Sequence, residues 1–242
     1  MTKHTSRVYE QELRELKSRL LAMGGRCEQL IDMASRALAE SDNDLAHRVE
    51  ATDRAINNEE MAIDRMTVSI LALRQPVGRD LRFLVTSLKV VTDLERIGDE
   101  AVNVAERAQE LSRGGGIPAL IPQLQLLVVA SVHMVRRALD AFVDENETAA
   151  RQVLKLDDEA DRLYGELLRS AIAWMRENPD RIEDGMRFAS CAKYLERVAD
   201  HATNIAEMVV FMVSGDDVRH FGSAGVELPD VPDADDGTQR KV

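Results

Sequence analysis

The chain has 242 residues, of which 31% are charged and only 4% aromatic, a balance that favours helices packed on helices over a β-sandwich. Its 43 Asp and Glu against 31 Lys and Arg give a net charge of −12, so nucleic acid and anionic lipid are poor partners. Length allows one domain or two, and the two cysteines, Cys27 and Cys191, share no short motif and read as small core residues rather than zinc ligands or a disulfide.

The opening "MTKHTSRVYEQELRELK" is polar with no apolar stretch behind it, so no secretory signal is expected. The most apolar run, "LLVVASV" at 126–132, falls far below the roughly 18–20 residues needed to cross a bilayer. A soluble, cytoplasmic protein with no direct membrane insertion is expected.

Leu13, Leu16, Leu20, Met23, Cys27, Leu30, Ala34 and Ala37 step by threes and fours, which predicts a first helix. "MGG" at 23–25 interrupts that seam and is expected to mark close helix packing, since a glycine inside a helix costs roughly 1 kcal/mol relative to Ala. "ESDND" at 40–44 is a break that can cap the next helix, read from Leu45 to Leu73; Pro76 disfavours helix at Gln75. A third helix is read from Arg79 to Leu111, followed by the linker "SRGGGIP". Leu120, Leu124, Leu127, Ser131, Met134, Ala138 and Ala141 then form another seam, "VDENE" breaks it, and a helix is read from Thr148 to Arg176. After "ENPDR" the last helix runs from Ile182 to Val213.

The two halves repeat each other. "LERIGDEAVNVAE" at 94–106 and "LERVADHATNIAE" at 195–207 share eight of thirteen residues, and "RAL" at 36–38 and 137–139 falls at the same offset of 101. The predicted fold is therefore all-α: two tandem, sequence-related three-helix bundles over 1–114 and 115–216, with up-down-up helices as in spectrin-like repeats. Each half is expected to fold by itself. Residues 217–242, acidic and broken by Pro and Gly, are expected to form a mobile tail.

Glu95, Asp99, Asn103 and Glu106, spaced 4, 4 and 3, share one stripe of a helix, and Glu196, Asp200, Asn204 and Glu207 repeat it. Leu94, Ile97, Ala101, Val104, Ala105 and Ala108 lie opposite. A merely solvated acid stripe fits poorly. Backwards it runs into Leu88, Leu84 and Leu81, and like charges four apart repel by a few tenths of a kcal/mol, about the size of other such pairs. The second helix of each half supplies facing acids. Asp53 and Glu60 enter the apolar seam of Val49, Ile56, Ile63 and Ile70, flanked by Asn57 and Asp64; Asp157 and Asp161 lie beside Val153, Ala160, Leu163 and Leu167.

A carboxylate entering a core must be neutralised, paired or coordinated. The expected ligands are thus Glu95, Asp99, Asn103, Glu196, Asp200, Asn204, Asp53, Asp157 and Asp161. Such oxygen donors suit magnesium, manganese, calcium or ferric iron better than structural zinc. His201 points elsewhere on its helix. No nucleophile–base pair, glycine loop or Cys–His arrangement is visible, so no enzyme is expected. The alternative is a ferritin-like metalloenzyme or metal-storage bundle, although the Glu-x-x-His step of that class is absent.

The paired "ExxxD" signatures, Glu95–Asp99 and Glu196–Asp200, with "MGG", "RQPVGRDLR" at 74–82 and "VSGDDVRH" at 213–220, resemble the PhoU family of phosphate-transport accessory proteins from about Tyr9 to Gly222. That resemblance implies two similar three-helix bundles, often as a homodimer, with multinuclear divalent or trivalent metal sites (iron, manganese, magnesium or zinc). It also implies negative regulation of the phosphate-starvation response, through contacts with the ATPase subunit of the phosphate ABC transporter and with the phosphate sensor histidine kinase. Ala199 and His201 replace Gly98 and Glu100 in the second copy, so metal content is expected to differ between halves.

Overall fold

In the computed structural model, which describes residues 7–216 and Val218, six long helices account for most of the described residues, and no strand occurs among them. They are α1 (Arg7–Glu40), α2 (Asn43–Arg74), α3 (Gly78–Ser112), α4 (Ile121–Val143), α5 (Glu147–Glu177) and α6 (Ile182–Ser214), with short 3₁₀ turns leading into α4 and α6. The expected tail lies outside the described residues, apart from Val218.

The helix limits follow local chemistry. Asp42 and Asn146 cap α2 and α5, accepting from the backbone N–H of Leu45 (2.9 Å) and Ala149 (3.0 Å). α2 stops where Gln75 turns left-handed (φ 48°), one residue before Pro76. Each seam read from the sequence is core: Leu16, Leu20, Met23, Cys27 and Leu30 in α1, and Leu124, Leu127, Ser131 and Met134 in α4, are fully or almost fully buried. Both cysteines are free and buried.

Helices α1–α3 pack as one bundle and α4–α6 as another, and the two are joined broadly, α3 against α6 and α1 against α4. The joined pairs run antiparallel. Arg82 Nε donates to the Met212 carbonyl (3.0 Å) at one end of α3/α6 and Arg187 Nε to Glu110 (3.1 Å) at the other. Lys17 and Glu145 meet at 2.7 Å across α1/α4. α2 and α5 stay outside, each covering its own bundle.

Three expectations need amendment. Leu84 is buried, but Leu88 is half-buried and Leu81 exposed, so the apolar continuation of the acid stripe is partial. The helix of Pro118–Val143 holds an 18-residue window of mean hydropathy 1.5 and so, by length and composition alone, is long and apolar enough to cross a membrane, with Arg136, Arg137 and Asp140 towards its end. One face of that helix is bundle core, while Leu126 and Val129 point outward. The two glycines of "MGG" also differ. A Cβ on Gly24 would lie 2.0 Å from Leu139 Cδ1 on α4, so close packing requires it, whereas one on Gly25 would meet nothing.

That contrast is testable by thermal melts. Gly24→Val is expected to destabilise by about 1–3 kcal/mol through overpacking, and Gly25→Ala to stabilise by about 0.5–1 kcal/mol through helix propensity. A fragment of residues 1–114 is expected to be helical by circular dichroism yet to self-associate, because α3 and α1 lose the cover of α6 and α4; a random-coil spectrum would contradict independent folding of the half.

Candidate functional site

The acids expected to face each other do so along two outer clefts. Between α2 and α3, Asp53, Glu60, Asp64, Glu95 and Asp99 gather, and the carboxyls of Asp53, Glu60 and Glu95 are pushed up. Loss of solvation holds the Asp53 carboxyl above its ordinary range, with Asp99 adding to it. Glu60 rises by desolvation and then Asp64, and Glu95 by desolvation and then Asp99, Glu60 and Asp53 contributing further.

Asp53 sits deepest, at 8% exposure. Its Oδ2 accepts from Asn57 Nδ2 (3.0 Å), but its Oδ1 has no partner, nor have Asn57 Oδ1 and Asp64 Oδ1. Gly98 makes the depth possible, since a Cβ there would stand 2.8 Å from Asp53 Oδ1. Buried oxygens without donors are costly, about 1–3 kcal/mol each. The hard donor set and these orphaned oxygens fit a hard cation bound by Asp53, Asn57, Glu60, Asp64, Glu95 and Asp99. Among the described residues, however, no three His, Cys, Asp or Glu side chains are already drawn together as a cage.

Between α5 and α6 the second cluster comprises Asp157, Asp161, Glu196 and Asp200. Desolvation and then Asp161 raise Asp157, whose Oδ1 has no hydrogen-bond partner. Asp200, at the solvent edge, is raised from 3.8 to about 6 by desolvation and then by Glu196, with Lys193 opposing. Glu196 is buried and ion-paired with Lys193.

Asn103 and Asn204 fall outside both clusters. Asn103 Nδ2 donates to Glu100 (3.1 Å), and Asn204 Nδ2 donates to Asp93 (3.2 Å). They belong to the α3/α6 junction, where Glu100, only 2% exposed, meets Arg197 at 3.0 Å and His201 Nδ1 meets Asp93 at 2.8 Å. Sequence reasoning did not find this pairing of a buried Glu100 with a half-exposed Arg197. Its signal was the least conservative change in the repeat, Glu100 against His201, which lies on the joining face rather than the acid stripe.

The raised carboxyls fix a pH dependence. A carboxyl with a raised pKa favours the fold when protonated; that contribution is complete below its ordinary value and lost as pH climbs through the folded one. For Asp200 the window runs from 3.8 to about 6. In chelator, Asp200→Asn is expected to melt higher than the parent at pH 7, with the gap closing by pH 4; a gap independent of pH would contradict the crowding of these acids.

The PhoU domain family profile matches residues 20–108 and again 125–209. The chain is 41% identical over 222 residues to the phosphate-specific transport system accessory protein PhoU homolog of Pseudomonas putida, covering 92% of this chain and 87% of that one. It is 33% identical over 222 residues to phosphate-specific transport system accessory protein PhoU of Escherichia coli K12, covering 92% of each. The crystal structure of PhoU from Pseudomonas aeruginosa superimposes with a TM-score of 0.82 at 40% identity, over 86% of this chain and all of that one. PhoU from Streptococcus pneumoniae gives 0.79 at 29%, over 87% and 99%. With the profile matched once in each half and relatives aligned along nearly the whole length, the chain belongs to the PhoU family.

Proposed function

We propose that this protein is a regulatory accessory of a phosphate-specific transport system that holds the phosphate-starvation response off when phosphate is plentiful. The observation that carries the reading is whole-length similarity to relatives bearing that accessory name. In this role it works in the cytoplasm by binding, as a homodimer, to the ATPase subunit of the phosphate ABC transporter and to the sensor histidine kinase. It turns over no substrate.

Metal belongs to the same proposal. Asp53, Asn57, Glu60, Asp64, Glu95 and Asp99 on one side, and Asp157, Asp161, Glu196 and Asp200 on the other, supply oxygen donors for divalent or trivalent ions. Bound there, a cation supplies the positive charge that these crowded carboxylates lack. The residues themselves position the donors and tie the outer helix of each bundle to the central one. Asn103 and Asn204, held at the α3/α6 junction, contribute to that junction.

Deleting the gene is expected to leave the starvation response switched on in phosphate-rich medium, read by a phosphatase reporter, and a copy ending near Gly222 is expected to restore repression. Normal repression in the deletion strain, together with no capture of transporter ATPase or kinase by the tagged protein, would refute the regulatory role.

A further inference from the structure

One signature of the sequence supplies no residue to the acid clefts. "RQPVGRDLR" at 74–82 forms the turn from α2 into α3 and the start of α3. From Arg65 to Thr92 the chain carries five cations (Arg65, Arg74, Arg79, Arg82 and Lys89) and one acid, Asp80, in a protein of net charge −12. The same stretch leaves apolar surface open. Val68, Leu73, Val77, Leu81 and Val85 are five of the thirteen large hydrophobic side chains exposed among the described residues, with Leu73 71% and Val77 81% exposed. Asp80 accepts from the Tyr9 hydroxyl (3.1 Å), and Arg74 and Arg79 pair with Glu12 and Glu145. Arg65 and Lys89 are exposed and make no ion pair among the described residues.

The equivalent hairpin of the second half, from Arg169 to Lys193, sets five cations against four acids and exposes only Ile172, Ile182 and Met186 among its large hydrophobics. Open apolar surface under an unbalanced positive charge is therefore particular to the α2/α3 tip. The chain's own C-terminal segment has the opposite character. Residues 226–236, "VELPDVPDADD", hold five acids and no cation, with Val226, Leu228 and Val231 among them. The segment also starts from the right place. Arg82 Nε donates to the Met212 carbonyl (3.0 Å), which sets the end of α6 beside the start of α3. Gly215 then turns left-handed (φ 89°), and Val218 packs back against the core. From Val218 the chain to Leu228 spans at most about 36 Å, enough for the adjacent tip. Met186 lies about 42 Å of helix away from Ser214, beyond that reach.

We propose that residues 226–236 are the resident cover of the α2/α3 tip, with their apolar side chains on Leu73, Val77, Leu81 and Val85 and their carboxylates beside Lys89 and the tip's arginines. Leu228 and Val231 each precede a proline, which favours extended backbone at both and suits a strap laid across a surface. Because the segment is tethered beside the tip, its effective concentration is on the order of millimolar, and a weak fit suffices. Salt screens the charged part of that fit and spares the apolar part. While it is in place, the strap keeps other acidic, apolar segments off the tip; its release opens the tip to a partner of that chemistry.

Hydrogen exchange of the full chain against a copy ending at Gly222, together with fluorescence anisotropy of a labelled peptide of residues 224–238, tests this. The first amides of α3 have no intrahelical acceptor, so their exchange reports on cover. Truncation is expected to raise exchange several-fold at residues 75–85 and to leave residues 179–189 unchanged. The peptide is expected to bind the truncated copy about tenfold more tightly than the full chain, whose own tail competes. In the truncated copy, Val77→Ser/Leu81→Ser is expected to lower peptide affinity about tenfold and Ile182→Ser/Met186→Ser to leave it unchanged. Circular dichroism confirms the fold of each variant. Exchange at 75–85 that truncation leaves unchanged would overturn the proposal, as would a peptide that binds both copies alike or neither. Tip protection that survives truncation but fades on dilution would overturn it in favour of a second copy as the occupant.

Discussion

Everything in this molecule is arranged around the double duty of α3 and α6. Each is the central helix of its own bundle and also packs, antiparallel, against the other. Two buried faces leave little of the circumference for polar residues. Small side chains make this feasible: Ala101, Ala105 and Ala108 on α3, and Ala199, Ala202 and Ala206 on α6, are buried and let backbones approach. Charged side chains that remain line the cleft beneath the outer helix, as Glu95 and Asp99 do, or the junction itself, as Glu100 and Arg197 do.

That confinement explains the electrostatics. At the junction, opposite charges meet: Glu100 with Arg197, and Asp93 with His201 and Asn204. In the clefts, like charges meet, and their carboxyls rise because water is partly excluded and neighbours carry the same sign. Such a cleft can be neutralised by protons, by the chain's own cations or by a bound ion. Duplication followed by divergence has given the two clefts different internal cations, Arg96 in one and Lys193 in the other.

Most of the fold was legible because helices of more than twenty residues repeat their apolar period many times over. Leu16, Leu20 and Leu30, or Leu124 and Leu127, could be assigned to the core from spacing alone, and Pro76, Asp42 and Asn146 marked boundaries by chemistry that acts within a few residues. The acid stripes were legible for the same reason. Asn103 and Asn204 show the limit: at i+4 from Asp99 and Asp200 they share a stripe on a helical wheel, yet each has rotated far enough from it to bond at the junction instead.

By itself, then, the sequence determined six helices, their duplication, the family likeness and two sets of carboxylates, since each depends on local periodicity or on residue identity. Only the tertiary structure decided which side of α3 meets α6. That choice buries Glu100 against Arg197, places Gly98 under Asp53, and leaves Lys193 rather than Arg197 beside Glu196. These contacts join residues far apart in the chain, and a helix wheel fixes direction about one axis without saying what stands opposite it.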